Sequence, residues 1–96
     1  MLTTGEVVVT ATIVSIMNSK VPFYDFVRRA LQRHRSLDFG DLDTHDLKAN
    51  QDALKYGSRV FSAYLLPVCV NCIYSKIYII TEADRSCTTI LFPHEY

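Results

Sequence analysis

The chain contains no GxSxG nucleophile elbow, no phosphate-binding P-loop and no HExxH zinc helix, so no stretch of its 96 residues names a reaction. Net charge is missing too: ten Lys plus Arg balance ten Asp plus Glu, which removes any global pull toward nucleic acid or an acidic membrane. Long apolar runs are also lacking. Val7 to Met17 is too short to cross a bilayer, and the charge before it is Glu6, where a secretory signal carries Lys or Arg. The expected location is therefore the cytoplasm, with no membrane partner. Cysteine is scarce and odd in number, three in all, which fits a reducing compartment rather than a disulfide scaffold. No repeat, linker or low-complexity segment divides the chain.

What is present suits one compact domain over residues 1–96. Nearly half of the residues, 49%, are apolar. A chain of this size buries only somewhat over ~60% of its unfolded surface, so a single core with little spare stability is expected. The neutral total hides an asymmetry. Lys20, Arg28, Arg29, Arg33 and Arg35 are opposed locally by Asp25, whereas Asp38, Asp41, Asp43, Asp46 and Asp52 are opposed by Lys48.

Periodicity sets out the elements. EVVVTATIVSIM, residues 6–17, is rich in β-branched side chains and reads as a strand. Ser19 is placed to cap a helix and Pro22 suits its first turn. Phe23, Phe26, Val27, Ala30 and Leu31 then follow the spacing of a buried helical stripe, with Arg28, Arg29, Gln32, Arg33 and Arg35 facing outward. Gly40 breaks that pattern. Asp43 or Thr44 caps a second helix, which carries a thin stripe of Leu47, Ala53 and Leu54 and stops at Gly57. SRVFSAYLLP, SKIYIIT and CTTILFP alternate as strands joined by short loops, which predicts an antiparallel meander. The expected fold is α+β: a small antiparallel sheet of about four strands, with a C-terminal β-meander, covered on one face by two helices. Glu82 to Ser86 forms a hairpin tip, where polar side chains meet solvent or a partner.

The segments DFGDLDTHDLKANQDALKYGSRVFSAYLL and KIYIITEADRSCTTILFPHEY carry a resemblance. They are similar to a family of small proteins of bacterial genomes, plasmids and phages whose activity is unassigned. That family shows a His before a GD turn, a D-x-K-x-N helix, a G-x-R-x-x-S-x-Y strand and an ending close to ITEADRS-x-TT-x-L-x-P-x-EY. The matching residues here are His34, Gly40 and Asp41; Asp46, Lys48 and Asn50; Gly57, Arg59, Ser62 and Tyr64; and nearly the whole ending, together roughly two-thirds of the chain. Two features depart from the pattern: the His-to-Gly spacing is longer, and Leu42 follows GD where an aromatic is usual.

Cys69 and Cys72 form half a zinc knuckle that Cys87 with His45 or His94 would have to complete; a second paired motif is missing, so ordinary thiols and no metal are expected. Asp38, Asp41, Asp43 and Asp46 beside His45 offer oxygen ligands, but they lack the EF-hand order and serve equally as helix caps. A phosphodiester or nucleotide enzyme would draw on Glu82, Asp84 and His34, with Asp41, Arg59 and Arg85. Arg59 and Glu82 pair more naturally as a structural ion pair between neighbouring strand ends. The arginine face of residues 22–35 offers phosphate contacts, without aromatic side chains interleaved.

The favoured expectation is a non-catalytic interaction protein of a mobile genetic element, without a cofactor. It binds and modulates a bacterial protein or nucleoprotein complex. Size and the setting that the resemblance implies make an anti-CRISPR-like inhibitor of host defence the analogy, with a CRISPR effector as one such partner. The expected partner-binding residues are Asp84 and Arg85 at the hairpin tip and Arg28, Arg29 and Arg33 on the helix. A nucleic-acid-binding module using that helix is the first alternative and the enzyme the second; a homodimer is compatible with each.

Overall fold

The structure, a computed structural model, describes residues 1–67 and 73–96. The elements are β1 (Glu6–Val9), α1 (Ala11–Ser19), α2 (Val21–Arg35), α3 (Thr44–Tyr56), β2 (Val60–Leu65), β3 (Lys76–Thr81) and β4 (Cys87–Leu91), followed by a 3-10 turn, Pro93–Glu95. They form an α+β domain with a four-stranded sheet in the order β1-β4-β3-β2. The expected meander is present, with β2, β3 and β4 antiparallel in succession. β1 joins its far side parallel to β4, after a crossover that contains all three helices.

The N-terminal segment corrects the sequence reading, because ATIVSIMNS is helix α1 and not the continuation of a strand. The register supplies the reason. Val9 pairs with Ile90, and the Thr10 amide donates to the Ile90 carbonyl, so β1 runs out near the end of its ladder with β4. Beyond that point, a helix satisfies the backbone where a strand would have no neighbour. It also buries Ile13 fully, with Ile16 and Met17 packed beside it at helical spacing. Tertiary context thereby overrides β propensity. Ser19 does not cap the next helix; its hydroxyl donates back to the Ser15 and Ile16 carbonyls. Lys20 sits at the junction as both the C-cap of α1 and the N-cap of α2.

Helix α2 is the expected one, with Pro22 in its first turn and Phe23, Val27, Ala30 and His34 fully inward; Phe26 and Leu31 flank that line half-buried. Helix α3 is capped by the Asp43 carboxylate, which accepts from the Asp46 amide at 2.8 Å. It ends at Gly57 in the left-handed region, φ 76°. Its stripe differs from expectation: Asn50 and Ala53 are buried, whereas Leu47 and Leu54 remain exposed.

Register and alternation divide the sheet into two faces. Tyr64, Ile77, Ile79 and Ile90 point toward Ile13 of α1 and toward Phe23, Val27 and Ala30 of α2, and with Phe92 they form the main core. A smaller cluster of Leu2, Phe39, Ala53 and Val60 lies under α3. The alternate residues Phe61, Tyr78, Ile80, Thr89 and Leu91 belong to the opposite face. α3 meets the sheet at its β2 edge, through Asn50 on the Phe61 backbone and Ala53 clustered with Val60.

Candidate functional site

His34 extends the buried line of α2 into the sheet and is fully enclosed. Its Nδ1 lies 2.5 Å from the Ser62 hydroxyl and its Nε2 lies 2.8 Å from that of Thr81. Thr81 is in turn 2.7 Å from Thr88, which donates to the Thr4 carbonyl at 2.7 Å. A carbonyl only accepts, so the single Thr88 proton is committed to Thr4, and Thr81 must donate to Thr88. Thr81 then accepts from His34, which fixes the proton on Nε2 and leaves Nδ1 to accept from Ser62. Burial, with Arg35 nearby as a smaller cause, pushes the imidazole pKa down to about 4, so the ring is neutral near pH 7. Both nitrogens are spent inside the protein. His34 ties α2 to β2, β3, β4 and the N-terminal segment, and lacks the access that proton transfer to a substrate needs.

Gly40, Asp41 and Asn50 perform a second structural task, closing the free edge of β2. The Asn50 amide brackets Phe61, accepting from its N–H at 3.0 Å and donating to its carbonyl. The Ala63 amide reaches the Phe39 carbonyl at 3.3 Å, and the Asp41 amide reaches the Ala63 carbonyl at 2.7 Å. The Asp41 carboxylate accepts from the Leu65 amide at 2.9 Å. Gly40 permits this approach: at φ 75°, a Cβ there would stand 2.2 Å from the Ala63 oxygen and 2.5 Å from the Tyr64 ring. Each outward backbone group that these bonds cover would otherwise recruit another chain.

The hairpin tip is engaged within the protein rather than free. Arg85 adopts φ 62° and donates through Nη1 to the carbonyls of Ser58 at 2.7 Å and Glu82 at 3.1 Å, and through Nη2 to that of Ala53 at 3.4 Å. Its guanidinium thus latches the tip to the C-terminal end of α3, where carbonyl dipoles favour a cation. The Asp84 carboxylate accepts from the Ser86 hydroxyl at 2.6 Å and the Ser86 amide at 3.0 Å. Those bonds, the hydroxyl first, hold its pKa below the ordinary value. Arg59 does not turn to Glu82 as expected; it donates to the Tyr96 hydroxyl and lies 5.3 Å from that ring's centroid. The enzyme set is accordingly not assembled: His34 is enclosed, Arg59 and Arg85 face other partners, and Glu82 is exposed.

On α2, Arg28 pairs loosely with Asp25 at 3.9 Å, and Arg33 forms a two-point pair with Asp38 at 2.8 and 3.2 Å while stacking 4.9 Å from the Tyr64 ring centroid. Arg29 lines a groove of about 500 Å³ with Phe26 and Pro67. Asp43, His45 and Asp46 can bring ligand atoms within 4.8 Å of one another, but Asp43 is already the α3 cap. Cys87 is a half-buried free thiol, and Cys69 and Cys72 lie outside the described residues.

Sequence reasoning missed the sheet face opposite α1 and α2. Phe61 and Tyr78 meet edge to face at 4.7 Å, Tyr96 approaches Tyr78 at 6.3 Å, and the Lys76 ammonium lies 5.5 Å from the Tyr78 centroid. A cavity of about 300 Å³ opens among Asp46, Asn50, Arg59, Phe61, Tyr78 and Tyr96. Alternation was the available signal: once Ile77 and Ile79 of KIYIIT face the helices, Tyr78 must face the other way. No protein-family model, curated protein or solved structure matches the chain.

Proposed function

We propose that this protein is a non-catalytic binding protein whose contact surface is the sheet face that α1 and α2 leave open. The observation carrying this reading is the composition of that face. A one-sided sheet ordinarily turns polar residues to water, whereas this one carries Phe61 and Tyr78 half-buried at its surface, with Tyr96 folded toward Tyr78 and 64% exposed, while Ile80 and Leu91 on the same face are buried. Of the polar residues that first invite a catalytic reading, His34, Asp41, Arg59 and Arg85 are meanwhile engaged within the fold. Combined with the mobile-element resemblance, the proposed role is to bind and modulate a bacterial protein or nucleoprotein complex, for which a CRISPR effector is one candidate and inhibition of host defence the corresponding effect.

Affinity purification of tagged protein from bacterial cells, quantified by mass spectrometry, tests the reading. A complex recovered with the parent chain and with Arg29→Glu, but lost with folded Tyr78→Ala, supports it. Recovery that depends on Arg29 and ignores Tyr78 would move the contact to α2.

A further inference from the structure

The open face has an order along it as well as a composition. Arg59 precedes β2, and Phe61 follows two residues later; Tyr78 stands opposite Ala63, two residues further on, and Lys76 stands opposite Leu65, two residues beyond that. Two residues of strand advance about 7 Å. The positions that carry cation, ring, ring and cation therefore succeed one another at even steps along the β2–β3 pair, and the two rings close together edge to face at 4.7 Å in the middle of that track. Both cations lie against aromatic rings, Arg59 against Tyr96 and Lys76 against Tyr78.

We infer that this face binds single-stranded nucleic acid, with bases stacking on Phe61 and Tyr78 and with Arg59 and Lys76 neutralising phosphates at the two ends of the track. The inference rests on the reading of the open face as the contact surface and specifies its partner. Charge favours this occupant over a second copy of the chain, because the cations at the two ends of the track would meet like charges in a symmetric face-to-face pair. Aromatic rings at a sheet surface, half-buried here at Phe61 and Tyr78, accept bases without needing a particular sequence. Of the residues lining the cavity one is acidic, Asp46, and it belongs to α3, beyond the β2 edge. The neutral total charge of the chain fits a small number of phosphate contacts in place of an extended basic channel.

Fluorescence anisotropy with labelled oligo(dT) and oligo(rU), each of roughly 12 nucleotides, tests the inference and separates DNA from RNA. Two phosphate contacts on a single strand predict an affinity loss of about sevenfold between about 50 and 200 mM salt. Arg59→Gln and Lys76→Gln should each reduce that salt dependence by about half. Tyr78→Ala should weaken binding roughly 5- to 150-fold; Tyr78→Leu, which keeps apolar bulk in the sheet, should weaken it too, provided circular dichroism shows each variant folded. Binding unaffected by Tyr78→Leu but abolished by Arg29→Glu would overturn the inference in favour of α2. No binding to either oligomer, together with a dimer in sedimentation analysis that Tyr78→Leu dissolves, would overturn it in favour of a second copy. If neither oligomer binds while cellular partners still require Tyr78, the inference falls and the broader reading of the face stands.

Discussion

Ile77 and Tyr78 are neighbours in β3 and share almost nothing else. Ile77 is fully buried among side chains of both α1 and α2. Tyr78 is half-buried, in contact with two other aromatic rings and a lysine on the open side. The same ladder of backbone hydrogen bonds supports both faces, but one spends its side chains on cohesion and the other, with Ile80 and Leu91 buried, leaves Phe61 and Tyr78 half-buried at its surface. Stability and binding should therefore separate by face, and substitutions on the covered side test that division most severely.

Phe23→Ala should have the largest effect. Phe23 is fully buried and meets Phe92 with ring centroids 6.1 Å apart, so truncation should cost about 3–5 kcal/mol. That approaches the whole stability of many small domains, and urea titration should find the variant largely unfolded. Phe26, central to the stripe read from sequence, is only half-buried and should cost less.

The polar centre of the same face gives the next effect. The folded His34 pKa, about 4, lies below the ordinary 6.5, so the unfolded chain takes up this proton first. Stability from His34 is complete above about pH 6.5 and declines as pH falls toward 4, by roughly 3 kcal/mol in all. Unfolding free energies measured at intervals between pH 7 and 4 should show that decline. Asp38, held below the usual carboxylate range mainly by its hydrogen bond from Arg33, adds its loss at lower pH. A flat profile across the upper window would show that water reaches the imidazole. His34→Leu should remove the dependence there while leaving Ser62 and Thr81 short of a partner.

Much of the covered face was legible in the sequence, because its signals are local. The α2 stripe, the Asp43 cap, the Gly57 stop and the alternation of three strands each depend on residues a few positions apart. What escaped depends on distant ones. The helical state of Ala11–Ser19 follows from where β4 ends, and the neighbouring Thr10 hydroxyl bonds Glu95, 85 positions away. Arg59 and Arg85 had several partners within plausible reach, and spacing alone did not distinguish a carboxylate from a tyrosine ring or a row of carbonyls. His34 was legible as a notable residue, but its enclosure by Ser62, Thr81 and Thr88 needed the sheet register.

The β2 edge lies between the two faces and should respond at an intermediate level. Asn50→Ala removes both bonds to Phe61, leaving a partly buried N–H and carbonyl without their partners. The expected cost is about 1–3 kcal/mol. The loss should also appear as concentration-dependent association in light scattering, since an uncovered edge is a template for another strand. Destabilisation without association would mean that Asp41 and the Phe39 carbonyl guard the edge sufficiently by themselves.

The smallest stability effect belongs to the open face itself. Thr89 lies on β4 opposite Ile80, half-exposed and on the side away from the helices. Thr89→Asp places a charge on that face without removing a core contact, so the midpoint of denaturation should move by no more than about 0.5 kcal/mol. If this face carries the contact, the same substitution should strongly weaken binding, because a carboxylate beside a desolvated aromatic surface must be stripped of water or repel an approaching phosphate. A fold that Thr89→Asp disrupts would indicate a covered surface. A folded variant with undiminished binding would indicate that the helices carry both roles and that the two faces do not divide them.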